Sequence, residues 1–214
     1  MGKRKVLVTG SGGQLGGVIC TEFEDEALVP LTHADLDLVD HDAVIEAVAT
    51  HAPSIIINCA GYNRVDDAEG NAEAALAVNA FGVRSLACAA NNVGAVFVQY
   101  STDFVFDGTA TAPYTEQDEA SPRSVYGASK LIGEWFASDV SRAYILRVES
   151  LFGGVPARSS IDQIIDAVES GREAHVFTDR VVSPSYAHDV AHATRSLIDA
   201  KAPAGLYHCV NAGH

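Results

Sequence analysis

From the N-terminus to Val148, short runs of consecutive apolar side chains alternate with longer stretches whose apolar positions recur every three or four residues. Lys5–Thr9, Ala27–Leu31, Ser54–Asn58, Ala95–Tyr100 and Ala143–Val148 are runs of the first kind and predict strands. Gln14–Glu26, Asp42–His51, Ala72–Asn92 and Val125–Asp139 are of the second kind and predict helices. Strands that are apolar at consecutive positions leave no face for water, so their sheet must be covered on both sides by the intervening helices. Right-handed crossovers make such a sheet parallel and doubly wound. The expected fold is therefore α/β, a Rossmann-type doubly wound parallel sheet.

Beyond Ser150 the rhythm loosens. Ile161–Ser170 and Val190–Ala200 predict helices, His175-Val176-Phe177 a short strand, and Gly205–Val210 a strand that stops four residues from the end. The chain is expected to divide into residues 1–149, a nucleotide-binding domain, and 150–214, a partial substrate-binding region with elements that return to the first sheet. A last strand with nothing after it to cover it reads as a chain cut short.

Composition narrows the function classes. Hydrophobic residues make up 48% and charged residues 20%, an ordinary balance for a packed globular chain and the wrong one for disorder. Against 28 acidic side chains stand 14 basic ones, a net charge of −14 that repels phosphate backbones and argues against nucleic acid as a partner. No apolar run is long enough to span a bilayer, and the start of the chain has no secretory pattern, so no membrane partner and a cytoplasmic location are expected. Cys20, Cys59, Cys88 and Cys209 are widely spaced among apolar neighbours, which reads as buried free thiols. His188 and His192 share a helix face but have no evident third ligand, so no metal is expected. Trp135, close to Leu131 and Ile132, reads as core packing. Arg147 and Arg158 could each meet a substrate phosphate or pair at the surface. A homodimer is compatible with all of this.

The chemistry begins at the first strand–helix junction, Thr9-Gly10-Ser11-Gly12-Gly13-Gln14-Leu15-Gly16. Gly10, Gly13 and Gly16 give the spacing G-x-x-G-x-x-G, with Gly12 inside the same turn. Gly10 suits a tight turn, Gly13 lets backbone approach a pyrophosphate, and Gly16 lets helix pack on strand, while the helix N-terminus offers N–H groups to the anion. Gln14 and Leu15 stand at that helix start. After the second strand, Thr32-His33-Ala34 supplies neither the acid nor the arginine that would choose NAD or NADP. Asp37 and Leu38 could meet an adenine, or Asp37 could be a solvated carboxylate or helix cap. Small residues in Asn58-Cys59-Ala60-Gly61 allow backbone to pass close to a flat ligand.

Tyr126 and Lys130 lie one helical turn apart on one face, in Tyr-Gly-Ala-Ser-Lys. A neighbouring ammonium favours phenolate and would make the phenol a usable acid–base group, and Lys130 could also reach a ribose. Thr102, at the end of the fourth strand, places a hydroxyl at the same sheet edge, where it could orient a carbonyl.

These residues together resemble the extended short-chain dehydrogenase/reductase superfamily, through the glycine turn, Asn58–Gly61, Asn79, Thr102, Tyr126 and Lys130. More narrowly, Ser101–Gly108, Pro113–Glu116, Pro122–Gly127, Val65-Asp66 with Ala68-Glu69, and Pro184–Ala191 are similar to the dTDP-4-dehydrorhamnose reductase family over nearly the whole chain. The resemblance implies Thr102, Tyr126 and Lys130 as the catalytic triad, and Gly10, Gly12, Gly13, Gln14, Leu15 and Gly16 on the cofactor's pyrophosphate. It further implies Asp37 and Leu38 on the adenine, and Ala60, Gly61 and Tyr62 beside the nicotinamide. The implied reaction is reduction by NADPH or NADH of the 4-keto group of a nucleotide-linked deoxysugar, on the way to dTDP-L-rhamnose. Two other readings stay open: a nucleotide-sugar epimerase or dehydratase that retains its NAD, and a non-catalytic NAD(P)-binding regulatory subunit, against which the intact Tyr126 and Lys130 weigh. Three departures from the family's pattern fall on the substrate side. No aromatic residue follows Arg147 in Val148-Glu149-Ser150-Leu151, Phe104 stands for a usual tyrosine, and Asp67 stands where lysine is common.

Overall fold

The structure is a computed structural model and describes residues 2–156, 159–174, 176 and 181–213. Six strands form one sheet: β1 (Lys5–Thr9), β2 (Ala27–Leu31), β3 (Ile55–Asn58), β4 (Val96–Thr102), β5 (Ala143–Val148) and β8 (Gly205–His208). Their order is β2-β1-β3-β4-β5-β8, and every neighbouring pair is parallel. The order reverses between β1 and β3, and such a switch point opens a ligand crevice at the carboxyl ends of the strands. Pro30 sits in β2, an edge strand, where its missing N–H costs the ladder least.

One face of the sheet is covered by α1 (Gln14–Glu22) and α8 (Ala187–Asp199), which bury Ile19, Val190 and Ala191 against Val6, Val8, Val98 and Leu146. The other is covered by α2 (His41–His51), α5 (Val83–Val93) and α6 (Val125–Ser138), which bury Val44, Val48, Leu86 and Ala137 against Leu7, Ile56, Phe97 and Ile145. Each fully buried aliphatic side chain contributes roughly 1.5–3 kcal/mol. Residues beyond 150 rejoin this body: β8 extends the sheet beside β5, and Leu151–Phe152 (β6) pairs with Ser185–Tyr186 (β7). The helix α7 (Ser160–Glu169) starts with a capping box made by Ser159 and Asp162. Arg158 and, apart from Val176, the short strand expected at His175–Phe177 lie outside the described residues.

The helix expected over Ala72–Asn92 is not uniform. It starts as α4 (Ala72–Leu76), widens into a π turn over Ala77–Gly82, and continues as α5. The segment Val65–Ala68 (α3) forms a single turn just before it, and Asp103–Val105 a 3-10 turn after β4. Two other expectations fail for one reason, position on a helix. Trp135 is 61% exposed, because it lies about 180° around the helix from Tyr126, and Cys88 is exposed on the outer side of α5. Among the described residues all four cysteines are free, no three His, Cys, Asp or Glu side chains are grouped as metal ligands, and no helix is long and apolar enough to cross a membrane.

Candidate active site

The glycine turn closes the gap between β1 and β3. Gly10 has φ +65°, and a Cβ there would stand 2.6 Å from Ala60 N, so both conformation and space demand glycine. At Gly16 a Cβ would drive into the carbonyl of Gly10. Gly13 is the N-cap of α1, with no side-chain cap and no acidic residue in the first turn. An uncapped, acid-free helix start between two strand ends fits a pyrophosphate, since its N–H groups have no side-chain partner to displace. The Gln14 side chain donates to Gly153 O at 2.7 Å. Gly16→Ala should lower thermal stability and weaken dinucleotide binding more than tenfold, in line with about 1–3 kcal/mol for overpacking. Gly12→Ala, whose Cβ would meet only Thr32 Cγ2 at 3.6 Å, should leave the melting temperature unchanged; equal losses in the two variants would refute this account of the turn.

Thr102, Tyr126 and Lys130 are brought together at the carboxyl edge of β4, only 5%, 8% and 6% exposed. The Tyr126 phenol lies within the influence of the Thr102 hydroxyl, which donates to Asp103 Oδ1 at 2.9 Å. Ser124 caps α6 by accepting from Gly127 N at 3.0 Å, fixing the start of the helix one residue before Tyr126. Two glycines then set the helix close to its neighbours. A Cβ at Gly127 would overlap Phe104 O, and one at Gly133 would overlap Asn79 O.

Lys130 acts elsewhere than expected. Its Nζ donates to Tyr100 O at 2.6 Å, and the phenol of Tyr126, far from being lowered, is pushed up to about 12 by burial, with Thr102 its one downward influence. Burial likewise pushes the Lys130 ammonium down to about 8, with the Glu134 carboxylate opposing. Lys130 Nζ also lies 3.9 Å from where a Gly61 Cβ would be, so Gly61 keeps the floor open above β3.

With this geometry in place, the relatives decide the family. The family model described as the RmlD substrate binding domain matches residues 4–214. The dTDP-4-dehydrorhamnose reductase of Streptomyces griseus is 37% identical, over 97% of this chain and 70% of that protein. The chain belongs to the dTDP-4-dehydrorhamnose reductase family. The spore coat polysaccharide biosynthesis protein SpsK of Bacillus subtilis (strain 168) is 32% identical, over 98% of this chain and 74% of that protein. A crystal structure of the dTDP-4-dehydrorhamnose reductase from Bacillus anthracis str. Ames in complex with NADP superposes with a TM-score of 0.94 at 34% identity, covering 99% of this chain and 75% of that one.

In this member of the reductase family a buried polar ladder, not foreseen from the sequence, ties the glycine turn to Lys130. Thr9 Oγ1 donates to Asn58 Oδ1 (2.6 Å), Asn58 Nδ2 to Gln99 Oε1 (2.7 Å), and Gln99 Nε2 to Tyr100 O (2.7 Å), the carbonyl that also receives Lys130. Thr9, Asn58 and Gln99 occupy one register row across β1, β3 and β4. Asn79, in the π turn, holds Tyr62 through both its N–H (2.8 Å) and its carbonyl (3.0 Å) and donates to Ser129 Oγ at 3.0 Å, so the π turn delivers an amide between β3 and α6.

Other expected site residues are placed as follows. Asp37 is exposed and accepts from Val39 N at 3.0 Å, whereas Leu38 is 4% exposed and its side chain belongs to the core. Ala60 and Tyr62 are partly exposed, and Tyr62 donates its hydroxyl to Asp67 at 2.6 Å. That carboxylate also pairs with Arg64 at 3.4 Å. Phe104, lacking the family's hydroxyl, packs its ring edge-on against Tyr126 at 5.7 Å between centroids. Glu149 is half-buried, which pushes its carboxyl up. Arg147 is buried and not at the surface, and forms a bidentate pair with Glu134.

Proposed function

We propose that the chain reduces the 4-keto group of dTDP-4-dehydrorhamnose, or of a close nucleotide-linked 4-keto-6-deoxysugar, with NADPH or NADH as coenzyme. The observation that carries this reading is the buried hydroxyl pair of Thr102 and Tyr126 at the carboxyl edge of β4, two strands from the glycine turn. In this reading Gly10, Gly12, Gly13, Gln14, Leu15 and Gly16 hold the pyrophosphate through backbone, with Asp37 and the Leu38 backbone near the adenine. Ala60, Gly61 and Tyr62 flank the nicotinamide. When bound, the reduced coenzyme supplies the hydride that the carbonyl carbon accepts.

The chain's own part is proton delivery and orientation. A phenol pushed up to about 12 is fully protonated at neutral pH, which is the form a reduction requires, because Tyr126 must give its proton to the oxygen as charge develops there. Thr102 turns its hydroxyl from Asp103 to that oxygen and fixes the approach of the carbonyl. Lys130, held by Tyr100 O, places a positive charge beneath the same site. In this proposal residues 1–149 bind coenzyme and carry the triad, 150–214 contribute to the sugar side, and the protein works in the cytoplasm, as a homodimer or alone, with the nucleotide sugar as its partner.

The test is turnover with a panel of dTDP- and UDP-linked 4-keto-6-deoxysugars and either coenzyme, followed by the absorbance of reduced nicotinamide. One equivalent of NAD(P)H should be oxidised per sugar reduced. Conversion of the sugar with no net coenzyme consumption would instead indicate an epimerase that retains NAD.

A further inference from the structure

Tyr126, Lys130 and Glu134 follow one another at intervals of four residues along α6, one buried stripe of the helix, with Glu134 5% exposed. Glu134 stands between two cations. On its far side the guanidinium of Arg147, at the end of β5, donates through Nε to Oε1 and through Nη2 to Oε2, both at 2.8 Å. On its near side, one helical turn away, is Lys130, whose ammonium donates to the uncharged Tyr100 carbonyl at 2.6 Å. Three formal charges are thus buried in a row, and removing the central carboxylate leaves both cations without it.

We propose that Glu134 is a positioning residue for catalysis: clamped by Arg147, it keeps Lys130 charged in a site that would otherwise neutralise it, without touching substrate or coenzyme. The proposal rests on the reductase reading only in supposing that the charged lysine is the working form. The groups facing Lys130 are few. Among the described residues, Glu134 comes from its own helix, Cys59 from the end of β3, the neutral Asn63 and Asn79 from around Gly61, and the Tyr100 carbonyl from β4. Cys59 is a thiol pushed up by burial, so it is neutral at working pH, and Glu134 is the formal negative charge in this set. Arg147 supplies the aim. Its fork geometry fixes both carboxylate oxygens, so the negative charge stays at a set distance from Lys130 instead of swinging onto its Nζ and drawing it off Tyr100 O.

The chain holds four lysines, Lys3, Lys5, Lys130 and Lys201, so the Lys130 side chain can be followed individually by NMR of labelled lysine in the coenzyme-free protein. Lys130 should titrate near about 8 in the parent and about one unit lower when the Glu134 charge is removed, the size expected for losing a close opposite charge. Glu134→Gln tests this directly. Because that variant strands Arg147, the paired Glu134→Gln/Arg147→Met variant, with both charges gone, keeps the test readable if the single variant unfolds. In either, the alkaline limb of kcat should move down with the lysine. The loss should be about fivefold at pH 8 and near none at pH 6, with KM for the sugar unchanged, following from a shift of about one unit in a group at about 8. A folded paired variant whose Lys130 titrates as in the parent would overturn the proposal and leave Glu134 a packing residue. The titration needs no turnover, so a parent protein that fails to reduce any sugar would count against the reductase reading alone.

Discussion

Tyr126→Phe is expected to lower kcat about a hundred- to ten-thousand-fold, the range for removing a positioned general acid, while leaving the fold and coenzyme binding intact. The ring stays where it is. It packs in a cluster with Ala68, Ala75, Val65 and Phe104, and the edge-on contact with Phe104 uses carbon atoms that phenylalanine keeps. Thr102 is not orphaned either, since it still donates to Asp103 and accepts from Phe104 N at 3.2 Å. The loss therefore falls on the proton that must reach the developing alkoxide. Because burial holds the phenol near about 12, the parent enzyme should also favour reduction over oxidation of the alcohol at neutral pH, the reverse direction needing a phenolate that is scarce there. The measurement is kcat and KM in both directions, with melting temperature and coenzyme affinity as controls. Turnover by Tyr126→Phe within a few-fold of the parent would remove Tyr126 from the catalytic role.

How much of this could be read from residues alone depended on how local each signal was. The glycine turn was legible because its demands are steric and confined to one junction, and Gly10 and Gly16 are required for the reasons their spacing suggested. The Tyr126–Lys130 stripe was legible because one helical turn fixes which side chains share a face. Trp135 shows the same rule misapplied. Its residue type suggested the core, but nine residues of rotation from Tyr126 put it on the outside, a fact available in the numbering. The destination of the Lys130 ammonium was not available, because the carbonyl of Tyr100 competes with the phenol for it only once β4 and α6 are packed. The Thr9–Asn58–Gln99 ladder and the Asn79 clasp were hidden for the same reason: each joins residues at least 17 positions apart. A polar residue inside an otherwise apolar strand, as Gln99 is in Val96–Tyr100, was the one visible hint.

Arg147→Met should be the most destabilising single change outside the backbone, about 3–5 kcal/mol, because it leaves the Glu134 carboxylate buried without its partner. The pair is 6% exposed on both sides, so water cannot take over from the guanidinium. Methionine fills much of the volume over the Phe106 ring, where the Arg147 guanidinium carbon now sits 4.8 Å from the centroid, so the expected loss is electrostatic more than one of packing. Arg147→Lys should rescue little, since an ammonium cannot present the two parallel N–H groups that now meet Oε1 and Oε2. The paired Glu134→Gln/Arg147→Met variant should recover most of the stability, because two neutral side chains of similar size carry no stranded charge and because Nη1 of Arg147, which has no hydrogen-bond partner among the described residues, is removed as well. For a chain of 214 residues a loss of that size corresponds to a melting temperature lower by roughly 10 °C. Thermal unfolding of the parent, Arg147→Met, Glu134→Gln and the pair forms a mutant cycle whose coupling energy isolates the ion pair. A coupling near zero, with Arg147→Met melting within a degree or two of the parent, would mean that Glu134 finds its compensation elsewhere in the helix stripe.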